Sequence, residues 1–202
     1  MTNNGLHHHY KVYKPYDMLS QLSSNEERQL RAKRFLTALY DFPKGIMPIG
    51  RLDEKSEGLL LMTTNGKLSD TINRAGIEKE YYAQLDGSID KEAIMLLENG
   101  VEIGFEGKRY RTKPCKVEIL SNPPNLPQAD KRIRVGRHRS NVWISIILTE
   151  GKFRQVRKMT AAVGYPTLRL IRIRIGNIAL VNMQPGDVHG LNDHDLTLTS
   201  NV

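Results

Sequence analysis

Apolar and polar positions along this chain follow two periods, and the switches between them mark its elements. Tyr10-Lys11-Val12-Tyr13-Lys14-Pro15 reads as a short strand stopped by proline. Leu30 to Tyr40 carries Leu30, Phe35, Leu36 and Leu39 at helical spacing, which predicts one buried face. Gly45 to Gly50 predicts a short strand with Pro48 near its edge, Arg51 to Glu57 a polar turn, and Gly58 to Thr64 an apolar strand. Lys67 to Asn73 predicts a short helix after Asn65-Gly66. Glu80 to Leu85 is an aromatic-rich strand. Asp90 is placed to cap a helix over Lys91 to Glu98, which Asn99-Gly100 would end.

The second half follows the same logic. Lys108 to Leu120 predicts a long strand or hairpin arm. Pro123, Pro124 and Pro127 cannot sit in a ladder, so 121–127 is a loop and a candidate linker between subdomains. Asn141 to Thr149 predicts a buried strand, and Lys152 to Val163 a helix ended by Gly164. From Leu168 to Ile175 the apolar residues interleave with Arg169, Arg172 and Arg174, which predicts a strand with a cationic face. No regular βαβ crossovers are seen. The fold class expected is α+β with a mixed, largely antiparallel sheet.

Composition narrows the function. At 202 residues the chain can bury a full core as one domain or two small lobes. It has no apolar run approaching the roughly 20 residues of a membrane span, and Met1 to Tyr10 lacks the apolar core of a secretory signal. Cys115 is the only cysteine, which excludes an internal disulfide and a multi-thiolate zinc site and suits a reducing cytoplasm. The net charge of +8 is concentrated: Lys131 to Asn182 holds 12 Lys and Arg against one acid, Glu150, and the remainder 18 against 21 acids. Trp143, Phe153 and Tyr165 interleave with those cations. A focused positive field with aromatic residues is the footprint of a nucleic-acid binder, the bland alternative being a solvated basic face.

Two stretches carry candidate chemistry. Gly50-Arg51-Leu52-Asp53 puts one carboxylate in a Gly- and Arg-flanked turn, with Ser56-Glu57-Gly58-Leu59-Leu60 after it. Glu150-Gly151-Lys152-Phe153-Arg154-Gln155-Val156-Arg157-Lys158-Met159 opens a basic helix. With Lys79-Glu80-Tyr81 between them, and Leu170 to Gly176, Pro185-Gly186 and Leu191 closing the pattern, the chain resembles the pseudouridine synthases, in the RsuA/RluB/RluE/RluF branch. The ordered blocks cover roughly Val12 to Leu191, far more specific than any one alone. The resemblance implies a two-lobed pseudouridine synthase fold flanked by helices, with a central RNA-binding cleft. It makes 10–191 the catalytic domain and 1–9 and 192–202 tails, with no room for the S4 RNA-binding domain that family members often carry. Arg154-Gln155-Val156-Arg157 and Met159 to Arg172 look like the large-subunit subtype without that domain, which modifies 23S ribosomal RNA. A preference for free RNA over assembled subunits is the corresponding expectation.

The implied reaction detaches uracil from C1′, turns it and rejoins it through C5. It is redox-neutral, and the expectation is of no cofactor and no metal, in keeping with the lack of a P-loop, a dinucleotide fingerprint or a metal-ligand cluster. Asp53 is the implied catalytic carboxylate, adding to an electrophilic carbon or removing a ribose proton. Tyr81 would lie against the target base. Arg157 would ion-pair with Asp53; an opposite charge at contact lowers a carboxylate pKa by about 1–3. Arg51 is expected to fill the stack left by the flipped uridine. Lys79, Lys152, Arg154, Gln155, Lys158, Arg169, Arg172 and Arg174 are the expected RNA contacts. Structural alternatives are a cap for Asp53, a core ring for Tyr81, a phosphate contact for Arg157 and a salt bridge to Glu54 or Glu57 for Arg51. Gly58 and Gly151 are expected to serve backbone geometry, and His7-His8-His9 to be a solvated tail. Expected partners are ribosomal RNA alone, with no membrane, no obligatory protein partner and a monomeric state. Competing classes are a synthase for 16S RNA or tRNA, a non-catalytic RNA-binding protein, and a metal hydrolase using Asp53, Glu54 and Glu57.

Overall fold

A computed structural model describes residues 7–133 and 141–196. Arg134, Arg137 and Arg139 of the basic segment, and most of both expected tails, lie outside the described residues. In chain order the strands and helices are β1 (His9–Lys14), α1 (Glu27–Ala32), β2 (Met47–Ile49), β3 (Glu57–Thr63), α2 (Gly66–Arg74), β4 (Lys79–Asp86), α3 (Lys91–Glu98), β5 (Glu102–Phe105), β6 (Lys108–Arg111), β7 (Lys116–Ile119), β8 (Asn141–Leu148), α4 (Gln155–Ala162), β9 (Thr167–Ile175), β10 (Ile178–Ala179) and β11 (Val188–Leu191). Packing divides the chain into two units, Met1–Ile77 with Ile175–Val202, and Glu78–Arg174. Two lobes were expected. Their boundaries do not fall at the proline-rich loop, which lies inside the second unit.

The first unit is organised on β3, every residue of which is buried. Its alternating side chains serve two clusters. Leu59 and Leu61 pack with Ile49, Ile72, Ile77 and Ile178, whereas Leu60 and Met62 pack with Val12, Met18, Leu36 and Ile46. A strand covered on both faces reads as an unbroken apolar run, as this one does. β1 lies antiparallel on β3 from His9↔Thr63 to Lys14↔Gly58, and β11 lies antiparallel on β1. Asn65 caps α2 by accepting from the Leu68 N–H at 3.1 Å.

The unit departs from expectation at three places. The helix expected over Leu30 to Tyr40 is instead α1, with no buried residue, followed by a single 3₁₀ turn at Leu36–Ala38. Leu30 is 48% exposed and Leu36 fully buried, so the two never share a face. Tertiary contacts of Phe35 and Leu36 outweigh the helical spacing, since propensity is a weak prior. His9 also departs from the solvated tail expected of it. It opens β1, is 2% exposed, and its Nδ1 and Nε2 meet Thr63 Oγ1 at 2.8 Å and Asp193 Oδ1 at 2.7 Å. Asp193 and buried Leu196 belong to the expected C-terminal tail, so 192–196 packs as part of the unit.

In the second unit β4 pairs with β8 from Lys79↔Leu148 to Asp86↔Asn141, and β7 covers the other edge of β8. Asp90 caps α3 as expected, accepting from Ala93 N–H at 2.8 Å. The arm expected over 108–120 is two strands. β6 turns back on β5 through Glu106-Gly107, whose φ values of 49° and 73° make the two-residue turn that hairpins favour. β7 joins β8 after a break at Thr112–Cys115, where Pro114 has no N–H to pair. No helix among the described residues is long and apolar enough to cross a membrane.

The reassigned segment is directly testable by chemical denaturation. Leu36→Ala is expected to cost about 2–5 kcal/mol, the range for emptying a packed leucine site. Leu30→Ala should stay within about 0.5 kcal/mol, as for an exposed side chain.

Candidate active site

The carboxylate singled out by the sequence, Asp53, lies in the first unit on the turn that enters β3. The Asp53 carbonyl accepts from Ser56 N–H at 3.0 Å, closing the turn. Gly50 and Gly58 bracket it at φ 68° and 106°, conformations that a side chain would strain. At Gly50 an added Cβ would also come within 3.1 Å of Asn73 Oδ1. The geometric role expected of Gly58 holds. Gly151 has neither a left-handed φ nor a close neighbour.

What holds the turn was not legible beforehand. The Ser20 hydroxyl, buried, donates to Leu52 O at 2.8 Å and accepts from Leu52 N–H at 3.0 Å. One side chain thus satisfies both backbone groups of the residue before Asp53. One residue past Asp53, Glu54 O accepts from Asp17 N–H at 2.9 Å. Fully buried Lys14 reaches Pro15 O, Met18 O and, at 3.4 Å, Glu54 O. The Glu54 carboxylate pairs with Lys33 at 2.9 Å, and Lys55 pairs with Asp17 at 2.5 Å. Segment 14–20 and turn 51–56 are therefore laced together on both sides of Asp53. Arg51 is exposed at the edge of a groove of about 510 Å³, lined with Ser20, Leu22, Ile46, Met47 and Pro48. Its side chain makes no ion pair with an acid among the described residues, so the salt-bridge alternative fails.

The second unit carries Tyr81 and Arg157. Tyr81 is buried in β4 opposite Ile146, and the Arg172 guanidinium lies 6.0 Å from its ring centroid. Arg157 projects from α4 and donates to Thr167 O at 3.1 Å, which ties it to the start of β9. Glu150 is the anchor ahead of α4. Its carboxylate accepts from Tyr110 O–H at 2.5 Å, Lys113 N–H at 2.9 Å and Gln155 Nε2 at 2.7 Å, while Gln155 Oε1 accepts from Lys152 N–H at 2.8 Å. Burial raises the Glu150 pKa, but Tyr110 and the other donors outweigh it and hold the carboxyl below the ordinary range. The same bond, with burial, raises the Tyr110 phenol. Arg154 adopts φ 55°, uncommon for a residue with a side chain, as the chain enters α4. The helix accordingly begins at Gln155 and not at Lys152 as expected.

Several expected RNA contacts are placed otherwise. Gln155 is buried and spent on Glu150 and Lys152. Arg169 and Arg172 are buried, and Arg174 donates to Glu80 at 2.8 Å and Glu78 at 3.1 Å. Two of the three arginines of β9 are thus internal, and Arg174 is half-buried and paired with acids. Lys79 is half-buried, and desolvation followed by the Arg172 charge pushes its pKa down to about 8. Lys152, Arg154 and Lys158 retain partial exposure. Glu54 is committed to Lys33, and no group of three or more His, Cys, Asp or Glu among the described residues is arranged for a metal.

Comparison with known proteins defines the class. The family profile described as RNA pseudouridylate synthase matches residues 8–162, so the chain belongs to that family. "Ribosomal large subunit pseudouridine synthase E" of Xanthomonas campestris pv. campestris is 40% identical over 175 residues, 86% of this chain and 89% of that one. The protein of the same name from Vibrio parahaemolyticus is 36% identical over 86% of this chain and 69% of its own length. "Ribosomal large subunit pseudouridine synthase B" of Bacillus subtilis is 30% identical over 93% and 69%. The resemblance read from the motifs, including its large-subunit subtype, agrees with these names. A solved structure described as "Crystal structure of pseudouridylate synthase" superposes with a TM-score of 0.75 at 23% identity, covering 98% of this chain and 76% of that one, which supports the α+β fold.

Two outcomes follow from this lacing. Ser20→Ala leaves two buried backbone groups without a partner, costing about 1–3 kcal/mol of stability as read by urea denaturation. Glu150→Gln tests the second anchor. The folded pKa of Glu150 lies below its unfolded value of roughly 4.3, so its contribution is complete above that pH and lost as pH falls through the folded value. The stability deficit of the variant, read by urea denaturation, should be present at neutral pH and vanish in acid.

Proposed function

We propose that this protein isomerises a uridine to pseudouridine in 23S ribosomal RNA, acting as a monomer in the cytoplasm without a cofactor. The observation that carries the proposal is the catalytic-motif turn at Asp53, held from both sides, in a chain of the pseudouridine synthase family whose relatives are named for the large ribosomal subunit.

In this reading Asp53 is the catalytic carboxylate. Whether it adds to the nucleotide or removes a ribose proton, the N1–C1′ bond breaks, uracil turns and bonds to C1′ through C5, the C5 proton is lost and N1 ends protonated. A carboxylate on a rigid turn enters that step already oriented, which replaces an entropy cost otherwise met in the transition state. Tyr81, whose ring takes the base, and Arg157 are the other catalytic residues of this reading. Arg51, on its exposed edge, takes the place of the flipped uridine. Lys152, Arg154 and Lys158 remain the phosphate contacts. The strand arginines act from inside the unit, through Tyr81 and the Glu78–Glu80 pair, rather than by touching RNA.

Tritium release from [5-³H]uridine-labelled 23S RNA tests the proposal. Wild type is expected to release tritium with chelator present, and Asp53→Asn to lose at least about a thousandfold of that activity while still binding RNA. Carbodiimide primer extension then maps the nucleotide. Release confined to 16S RNA or tRNA would overturn the substrate; binding without release from any RNA would overturn the chemistry.

A further inference from the structure

Phe153 is the most exposed large apolar side chain among the described residues, at 66%. It stands between Lys152 and Arg154 in the approach to α4, and none of the roles above uses it. Its surroundings are cationic and built. Lys158 Nζ lies 5.3 Å from the Phe153 ring centroid, and the same ammonium donates to Gly104 O of β5 at 2.6 Å. The ring is thereby coupled to the β5–β6 hairpin. On that hairpin Lys152 Nζ sits 5.1 Å from the Phe105 centroid and 4.9 Å from that of Tyr110. The register places Lys108 opposite Phe105 on this same face, exposed at the end of the hairpin.

Ammonium groups held on aromatic rings are fixed in position. An exposed ring among fixed cations matches the chemistry of a single strand, which offers a base face and flanking phosphates together. A duplex offers phosphates but hides its base faces. The arrangement therefore favours unpaired RNA over paired RNA and over an acidic protein, which has no base to stack.

We propose that Phe153 is a stacking platform for an unpaired RNA base, with Lys152, Lys158 and Lys108 holding the neighbouring phosphates. The inference rests on the reading of the chain as an RNA synthase and names the part of the RNA that this surface takes.

Labelled oligo(A) is the probe, because it lacks uridine and so separates binding from catalysis; a duplex of equal length is the control. Phe153→Ala should weaken oligo(A) binding roughly tenfold, a typical cost for losing one stacked base, with its salt dependence and duplex binding unchanged. Phe153→Leu, which keeps apolar volume without a π face, should behave like Phe153→Ala, and Phe153→Trp should bind as wild type does. Lys108→Ala should lower the salt slope by about one; an unchanged slope removes the hairpin from the surface. Thermal denaturation checks that each variant is folded. The platform is overturned if the alanine and leucine variants bind oligo(A) like wild type, or if they lose oligo(A) and duplex equally. Failure of the synthase reading is seen separately, as absent tritium release by wild type; ring-dependent oligo(A) binding in that case still supports the platform.

Discussion

The hydroxyl of Ser20 bonds both backbone groups of Leu52, and the rest of the first unit's functional geometry hangs on that clamp. A polar turn of six residues buries too little apolar surface to hold itself in one conformation. Its order has to come from bonds to something already rigid. Here the rigid partner is the end of β1 and the segment after it, which reach the turn through Ser20, Asp17 and the fully buried Lys14. β1 in turn is ordered by β3, the strand buried on both faces. The chain of dependence runs from core strand to neighbour strand to clamp to carboxylate.

The second unit solves the same problem with a charge. Glu150 is the one acid in a long basic segment, and its carboxylate gathers a phenol, a backbone N–H and an amide. A half-buried carboxylate whose lone pairs are filled in this way is a stiff junction. This junction joins the β5–β6 hairpin to the approach of α4, so Arg157 and the Lys152–Lys158 cations are presented from a fixed base. The left-handed Arg154 is part of that presentation, strain held in place by the bonds on either side of it.

Basic residues in this protein therefore divide by depth. Those of β9 are inside, where Arg174 answers Glu78 and Glu80 and Arg172 faces Tyr81. Those at the approach to α4 and on the hairpin are outside or partly so, several of them held on aromatic rings. The outer set is at least partly open to solvent, whereas the inner set packs with acids and with the β4 tyrosine.

Local pattern was enough for β3, α3, β8 and β9, because alternation and capping report on neighbours a few residues away. The ordered motifs were enough for the family, because short strings in a fixed order seldom recur by chance. Pattern misled where the deciding partner was distant. The apolar spacing of 30–40 could not reveal that Leu36 packs under β3 while Leu30 faces water. The alternation of β9 could not say that both of its faces are covered. Nothing around Ser20 or His9 announced their bonds to Leu52 and Asp193, which lie 32 and 184 residues away. Glu150 alone left a trace, as a lone acid among cations. The sequence by itself determined most of the elements and the chemistry class, since both are written largely in local order; only the tertiary structure decided the course of 30–40, which charges are spent inside and which face outward, since burial and pairing belong to residues brought together by the fold.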